Sequence, residues 1–180
     1  MITIIWQGPY RCKEAIRKMR DCGSKKDGWA GTDYGLYQIY GSHILSRSKN
    51  TLLYIGQTSD QTFSSRMCQH YNDWIYGEPG LKIYLGRIES DTDNKKDKLW
   101  RNWRRDVNMA EAILVYKYTP NYNSALKQDY PKLRPYTAVK LMHLGKRGRL
   151  RKHDRAPKDY VYKPESVTII PYDYHESATR

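Results

Sequence analysis

Two tripeptides begin the chemical reading of this chain. Gly35-Leu36-Tyr37 opens one apolar run, and Tyr54-Ile55-Gly56 lies in the next. If both runs are strands, side chains alternate between faces, so Tyr37 shares a face with Ile39, and Tyr54 shares one with Gly56. Pairing the apolar faces brings Tyr37 and Tyr54 together on the open side, beside backbone bared at Gly56. Further along, Arg66-Met-Cys-Gln-His70 places a guanidinium and an imidazole at i, i+4, on one face of a helix. The planar guanidinium fork binds two phosphate oxygens at once, and imidazole accepts or relays a proton near neutral pH. Glu111 is the sole acid in Met109-Ala-Glu-Ala-Ile-Leu-Val-Tyr116. A carboxylate among such neighbours is costly unless paired, protonated or bound to a metal, and a hard cation such as Mg²⁺ would satisfy it. Pro120-Asn-Tyr-Asn123 ends the segment and can turn an amide toward the same face. Each feature has a plainer reading: a Tyr-rich chain puts Tyr in its strands, Arg66 and His70 can be solvated, and Glu111 can lie on the exposed side of its helix.

The elements that must position these groups are legible from periodicity. Residues 2–6 read as a β-branched strand. Pro9 to Cys22 reads as a helix, with Pro9 near its first turn, Ala15, Ile16 and Met19 as its apolar stripe and Gly23 as its stop. Gly35–Leu45 and Thr51–Gln57 read as a hairpin joined by Ser46–Asn50. Thr62–Trp74 fits a helix and Leu81–Ile88 a third strand. Leu99–Tyr118 fits a second long helix, with Asn108 as a candidate break and Pro120 as its end. Beyond Asn123 periodicity fades until Val167–Ile170, a last strand-like run. The order favours an α+β fold.

With 180 residues, the chain is about one domain. Hydrophobic residues make up only 39%, and mean hydropathy is −0.88. Seventeen Tyr and five Trp against a single Phe supply the bulk, which argues against wholesale disorder and suits half-buried faces. The formal net charge of +13 is uneven, with 20 of the 32 Lys and Arg in residues 91–180. Such a field attracts polyanions, nucleic acid first among them. No basic helix with a broad apolar face supports a membrane-surface role, and no run of about 18 apolar residues could span a bilayer. Three cysteines without a C-x-x-C pair argue against a disulfide framework or a cysteine-rich zinc site. The start lacks a basic signal-peptide n-region. A reduced, cytoplasmic protein is expected.

Taken together, Gly35-Leu-Tyr37, Tyr54-Ile-Gly56, Arg66-x₃-His70, Glu111 and Pro120-Asn-Tyr-Asn123 resemble the GIY-YIG endonucleases in order and spacing, over about residues 33–125. The His in the Arg helix is similar to the type II restriction branch. The resemblance implies a small antiparallel three-stranded sheet flanked by helices that cuts DNA with one divalent metal. It implies Glu111 as the metal ligand for Mg²⁺, with Mn²⁺ as the alternative, and Arg66 as the clamp on the scissile phosphate. Tyr37 would be the base for the attacking water, with His70 as its rival. Tyr54 and His70 would orient groups or relay protons, and Asn123 would brace the site or contact DNA. A free Tyr is only about 0.1 per cent ionised at pH 7, so Arg66 and a metal would have to favour the phenolate. One departure stands out: some members carry Lys just after the second glycine, where this chain has Gln57.

The remaining cations form a candidate DNA-binding set. Lys49 lies in the hairpin connection, and Gln57 beside the second tyrosine motif. Arg101, Arg104 and Arg105 interleave with Trp100 and Trp103, and Lys146, Arg147, Arg149, Arg151 and Lys152 belong to a basic arm over 145–158. Positive charge interleaved with aromatics contacts phosphates and stacks on bases, although Arg can also snorkel around core Trp. The expected organisation is an N-terminal strand and basic helix (1–32), a catalytic unit (33–125) and a basic C-terminal extension (126–180), so that DNA-binding additions flank the site. Double-stranded DNA is the expected partner, and a homodimer the expected state, since one site cuts one strand. A phage, homing or repair nuclease, a non-catalytic nucleic-acid-binding module and an RNA-directed protein stand as alternatives.

Overall fold

The computed structural model describes residues 1–11, 34–43, 48–89, 96–124 and 139–155. Six strands form one sheet: β1 (Ile2–Tyr10), β2 (Gly35–His43), β3 (Ser48–Thr58), β4 (Lys82–Glu89), β5 (Lys140–Gly145) and β6 (His153–Arg155). Their order across the sheet is β3-β2-β4-β1-β5-β6, and every neighbouring pair is antiparallel except β1 with β5. Between β3 and β4 lie α1 (Phe63–His70) and a π-helical turn (Tyr71–Ile75); α2 (Lys96–Tyr118) follows β4.

The expectation of a small antiparallel three-stranded sheet flanked by helices, with separate additions at its two ends, is overturned. The hairpin β2–β3 and its neighbour β4 are present, but the flanking segments extend the same sheet to six strands, and the described residues hold only two α-helices. Three physical causes hid this. Pro9, read as the first turn of a helix, sits within β1, where the register with β4 shifts between Gln7 and Tyr10, so its missing N–H falls at an irregularity in the ladder. In β5 the inward positions are Leu141 and His143, and a polar residue on the core side conceals the alternation. In β6 the one buried residue is Asp154, so no apolar signal exists at all. The rest of the expected helix to Cys22 and the strand over Val167–Ile170 lie outside the described residues. Asn108 does not break α2, which runs unbroken to Tyr118.

Both faces of the sheet carry a core. On one, Ile2, Ile4, Trp6, Leu36, Ile55, Ile88 and Leu141 pack against Val107, Ile113 and Leu114 of α2. On the other, Tyr37, Ile39, Ile83 and Leu85 pack against Phe63, Met67 and Ile75 of α1 and the π-helical turn. Burial of this kind contributes roughly 1.5–3 kcal/mol per large apolar side chain. The face of Tyr37 and Tyr54, expected to be open, is therefore roofed by α1.

Candidate active site

The two glycines of the tripeptides are fixed by backbone geometry. Gly35 has φ +151°, and a Cβ there would stand 2.2 Å from the carbonyl oxygen of Gly86. Gly56 lies opposite Tyr37 in the ladder, and a Cβ there would come within 2.4 Å of Tyr37 Oη and 2.6 Å of Tyr54 Cε1. Its hydrogen leaves room for the Tyr37 hydroxyl to lie over the strand. The Tyr37 and Tyr54 rings stack at 5.9 Å and 18°.

Thr62 caps α1 by accepting from the Ser65 N–H at 3.3 Å, which sets the helix register over β2. Arg66 and His70 then project from one face onto Tyr37. The Arg66 Nε donates to Tyr37 Oη at 3.2 Å, and His70 Nε2 lies 2.7 Å from the same oxygen. Four residues on, across the π-helical turn, Trp74 Nε1 donates to His70 Nδ1 at 3.0 Å. Trp74 also meets Tyr54 at 6.0 Å and Tyr122 edge-on at 5.2 Å, and Tyr122 itself is partly exposed. Trp74 and Tyr122 were missing from the sequence expectations. The 66–70–74 spacing, which continues one helical face, was the signal that could have found Trp74.

Asn123 acts on backbone. Its Nδ2 donates to the Ile55 carbonyl at 2.7 Å, and its Oδ1 accepts from the Ile55 N–H at 3.0 Å. Because β3 is an edge strand, this side-chain amide, with Tyr122 N–H to Leu53 O at 2.8 Å, closes the edge beside Tyr54 and Gly56.

Electrostatics distinguish these groups. Burial pushes the Tyr37 phenol above its ordinary range, and Tyr54 and Glu111 add to that, while the hydrogen bond and charge of Arg66 oppose it. Burial, then the charge of Arg66, brings His70 down to about 4, so the imidazole is neutral at pH 7. Burial raises Glu111 to about 7 against the opposing charge of Arg66. Burial disfavours the Arg66 cation, but the hydroxyls of Tyr37 and Tyr54 outweigh that and keep it charged. Tyr37, Tyr54, Arg66, His70 and Glu111 thus form one electrostatic unit.

No group of three or more His, Cys, Asp or Glu side chains gathers among the described residues, so no cage of protein ligands is formed there. Mg²⁺ needs less: it keeps several waters and takes one or two carboxylates plus substrate phosphate oxygens. A half-buried carboxyl held near 7 is a donor whose ionised form a cation would stabilise, and Glu111 fits that requirement.

The candidate DNA contacts divide. Near the site end of β3, Gln57 Nε2 donates to Asn108 Oδ1 at 3.2 Å, and exposed Arg104 pairs with Asp60 at 2.9 Å. Arg105 pairs with its neighbour Asp106 at 3.3 Å. The side chain of Arg101 and the arm beyond residue 155 lie outside the described residues. Lys146, Arg147, Arg149, Arg151 and Lys152 fall in the β5–β6 connection, on the face of α2 and away from Tyr37. There Arg149 N–H donates to Tyr40 Oη at 3.0 Å, its guanidinium donates to the Asn50 carbonyl at 3.1 Å, and Arg147 Nε donates to Leu150 O at 3.0 Å. Lys49 is exposed near the start of β3.

No helix among the described residues is long and apolar enough to cross a membrane. No family model, curated protein or solved structure matches the chain.

Proposed function

We propose that the chain is a metal-dependent endonuclease that hydrolyses DNA phosphodiester bonds, with the chemistry at Tyr37, Tyr54, Arg66, His70 and Glu111. The observation that carries this reading is the convergence of Arg66 and His70 on the single oxygen of Tyr37, within the field of one half-buried carboxyl. Arg66 Nη1 donates to Gln69 Oε1 at 3.0 Å, but no carboxylate among the described residues neutralises the guanidinium, and its planar fork suits a phosphate.

In this reading Arg66 holds the scissile phosphate and stabilises its growing charge. Burial alone keeps the Tyr37 phenol protonated, so the charge of Arg66 and of a cation at Glu111 would have to favour its phenolate. Water would then attack phosphorus; its oxygen forms the new P–O bond, its proton passes to the Tyr37 oxygen, and the opposite P–O bond breaks, with the leaving oxygen taking a proton from solvent. Tyr54 stacks behind Tyr37 and fixes the ring, and Asn123 fixes the backbone beneath it. Glu111 would hold Mg²⁺, or Mn²⁺ in its place, and the ion would supply a Lewis acid to the phosphoryl oxygens. The basic β5–β6 connection and Arg104, Arg105, Lys49 and Gln57 would contact double-stranded DNA. A type II restriction enzyme acting as a homodimer is the preferred form, in a cytoplasmic setting. A phage, homing or repair nuclease keeps the same site.

The test is incubation of the purified chain with supercoiled plasmid and Mg²⁺, beside EDTA and Glu111→Ala controls. Discrete fragments lost in both controls are expected. Nicking or smearing keeps the nuclease and removes the restriction role. Tight, salt-sensitive binding without cleavage in either metal would overturn the catalytic reading in favour of a binding module.

A further inference from the structure

We propose that Trp74 is a positioning residue that fixes neutral His70 in its Nε2–H tautomer, so that the imidazole donates to Tyr37 and does not take its proton. The inference rests on the nuclease reading for its consequence, but its geometry stands on its own. An indole N–H is a donor only, so the 3.0 Å contact from Trp74 Nε1 requires a lone pair on His70 Nδ1. A neutral imidazole with an unprotonated Nδ1 carries its hydrogen on Nε2, the atom 2.7 Å from Tyr37 Oη. Arg66 Nε donates to the same oxygen. Two N–H groups therefore point at Tyr37 Oη, and the phenolic hydrogen is directed to neither.

The two tautomers lead to different chemistry. With hydrogen on Nε2, ionised Tyr37 is held by two donors, one of them cationic, and hydrogen bonding of the charged form favours it. With hydrogen on Nδ1, Nε2 would accept the Tyr37 hydroxyl, and the phenolic proton would be locked onto the imidazole. Trp74 decides between these arrangements from four residues away, and the π-helical turn is the device that brings its indole back over His70. Burial and the charge of Arg66 keep the imidazole neutral, so tautomer rather than charge is the variable. Choice of tautomer by the hydrogen bond at the far nitrogen is the general rule for histidine.

Long-range ¹H–¹⁵N NMR of the full chain with labelled histidine reads the tautomer directly, independently of cleavage. The Nε2–H form is expected for His70 in the wild type. It should be lost in Trp74→Phe and when residue 74 is replaced by benzothienylalanine, which keeps the shape of the indole and removes its N–H. Plasmid cleavage by the benzothienylalanine protein should show kcat lower by about 10- to 100-fold with KM little changed. An Nδ1–H tautomer in the wild type, an unchanged tautomer in both variants, or a changed tautomer with unchanged kcat would each overturn the proposal. A wild-type chain that shows the expected tautomer but cuts no DNA would instead sink the nuclease reading and leave the hydrogen-bond assignment intact.

Discussion

The molecule contains the same Trp-to-His contact twice, on opposite faces of the sheet, in two different electrostatic settings. Under α1, Trp74 donates to His70 Nδ1 at 3.0 Å, and His70 faces Tyr37 and Arg66. Under α2, Trp6 donates to His143 Nδ1 at 2.9 Å, and His143 Nε2 lies 3.2 Å from Asp154 Oδ2. There the charge is closed: Asp154 is 1% exposed, accepts from Tyr118 Oη at 2.9 Å and pairs with Lys117. Burial works to raise the Asp154 carboxyl, but His143, Lys117 and Tyr118 outweigh it and hold the group below its ordinary value. At Tyr37 the charge is left open. Arg66 has no carboxylate at ion-pair distance among the described residues, and Glu111 is pushed up to about 7. The closed set fastens β1, β5, β6 and the end of α2 together. The open one leaves the Arg66 cation to hydroxyl and amide acceptors alone.

Five variants break or sharpen that contrast. Asp154→Ala removes the buried acceptor of the Tyr118 hydroxyl and of half-exposed Lys117, and should cost about 3 kcal/mol in denaturant unfolding, while kcat for the folded fraction is unchanged. Arg66→Ala should do the reverse, lowering plasmid cleavage about 10²–10³-fold with little change in unfolding midpoint. Glu111 supplies a pH test. Its folded pKa of about 7 stands above the ordinary 4.5, so the native state binds its proton more tightly, and metal-free stability should fall as pH rises through 4.5 to 7. The loss is at most about 3 kcal/mol, and Glu111→Gln, measured with EDTA present, should be the more stable protein at pH 8 and no more stable at pH 4. His70, lowered from 6.5 to about 4, acts with the opposite sign: stability is lost as pH falls through that window, and Glu111→Gln should expose it. Asn123→Ala leaves the Ile55 N–H and carbonyl without their side-chain partners and should cost about 1–3 kcal/mol. Arg104→Ala removes an exposed pair worth about 0–1 kcal/mol, yet should lower the salt slope of DNA binding by about one.

The site was more legible in the sequence than the fold. Tyr37, Tyr54, Gly56, Arg66 and His70 are tied together by two local periods, alternation in a hairpin and i, i+4 in a helix, and both survive folding. Glu111 stood out because a lone acid in an apolar run has few comfortable places. What escaped was non-local. The partnership of β1 with β5 joins Ile2 to Leu141, and nothing in either segment names the other. The burial of Asp154 and His143 had no local signal, because the Lys, Tyr and Trp that satisfy them lie 36 to 137 positions away. Trp74 was missed for another reason. It extends a helical stripe already noticed, but its value lies in an N–H that only the fold aims.

The parallel pairing of β1 with β5 has a consequence for biosynthesis. All the residues assigned to the site lie between Tyr37 and Asn123, in β2, β3, α1, the π-helical turn, α2 and the turn after it, and their contacts close over tens of residues. The β1–β5 pair closes over about 140 residues, and Lys117 and Tyr118 wait for Asp154 before the end of α2 is fastened. A chain emerging from the ribosome therefore exposes every group of the site well before the residue that secures the helix carrying Glu111. Loop closure of this length is slow relative to hairpin and helix formation. The order of closure therefore runs outward from the hairpin and the helices, with β5 and β6 docking last.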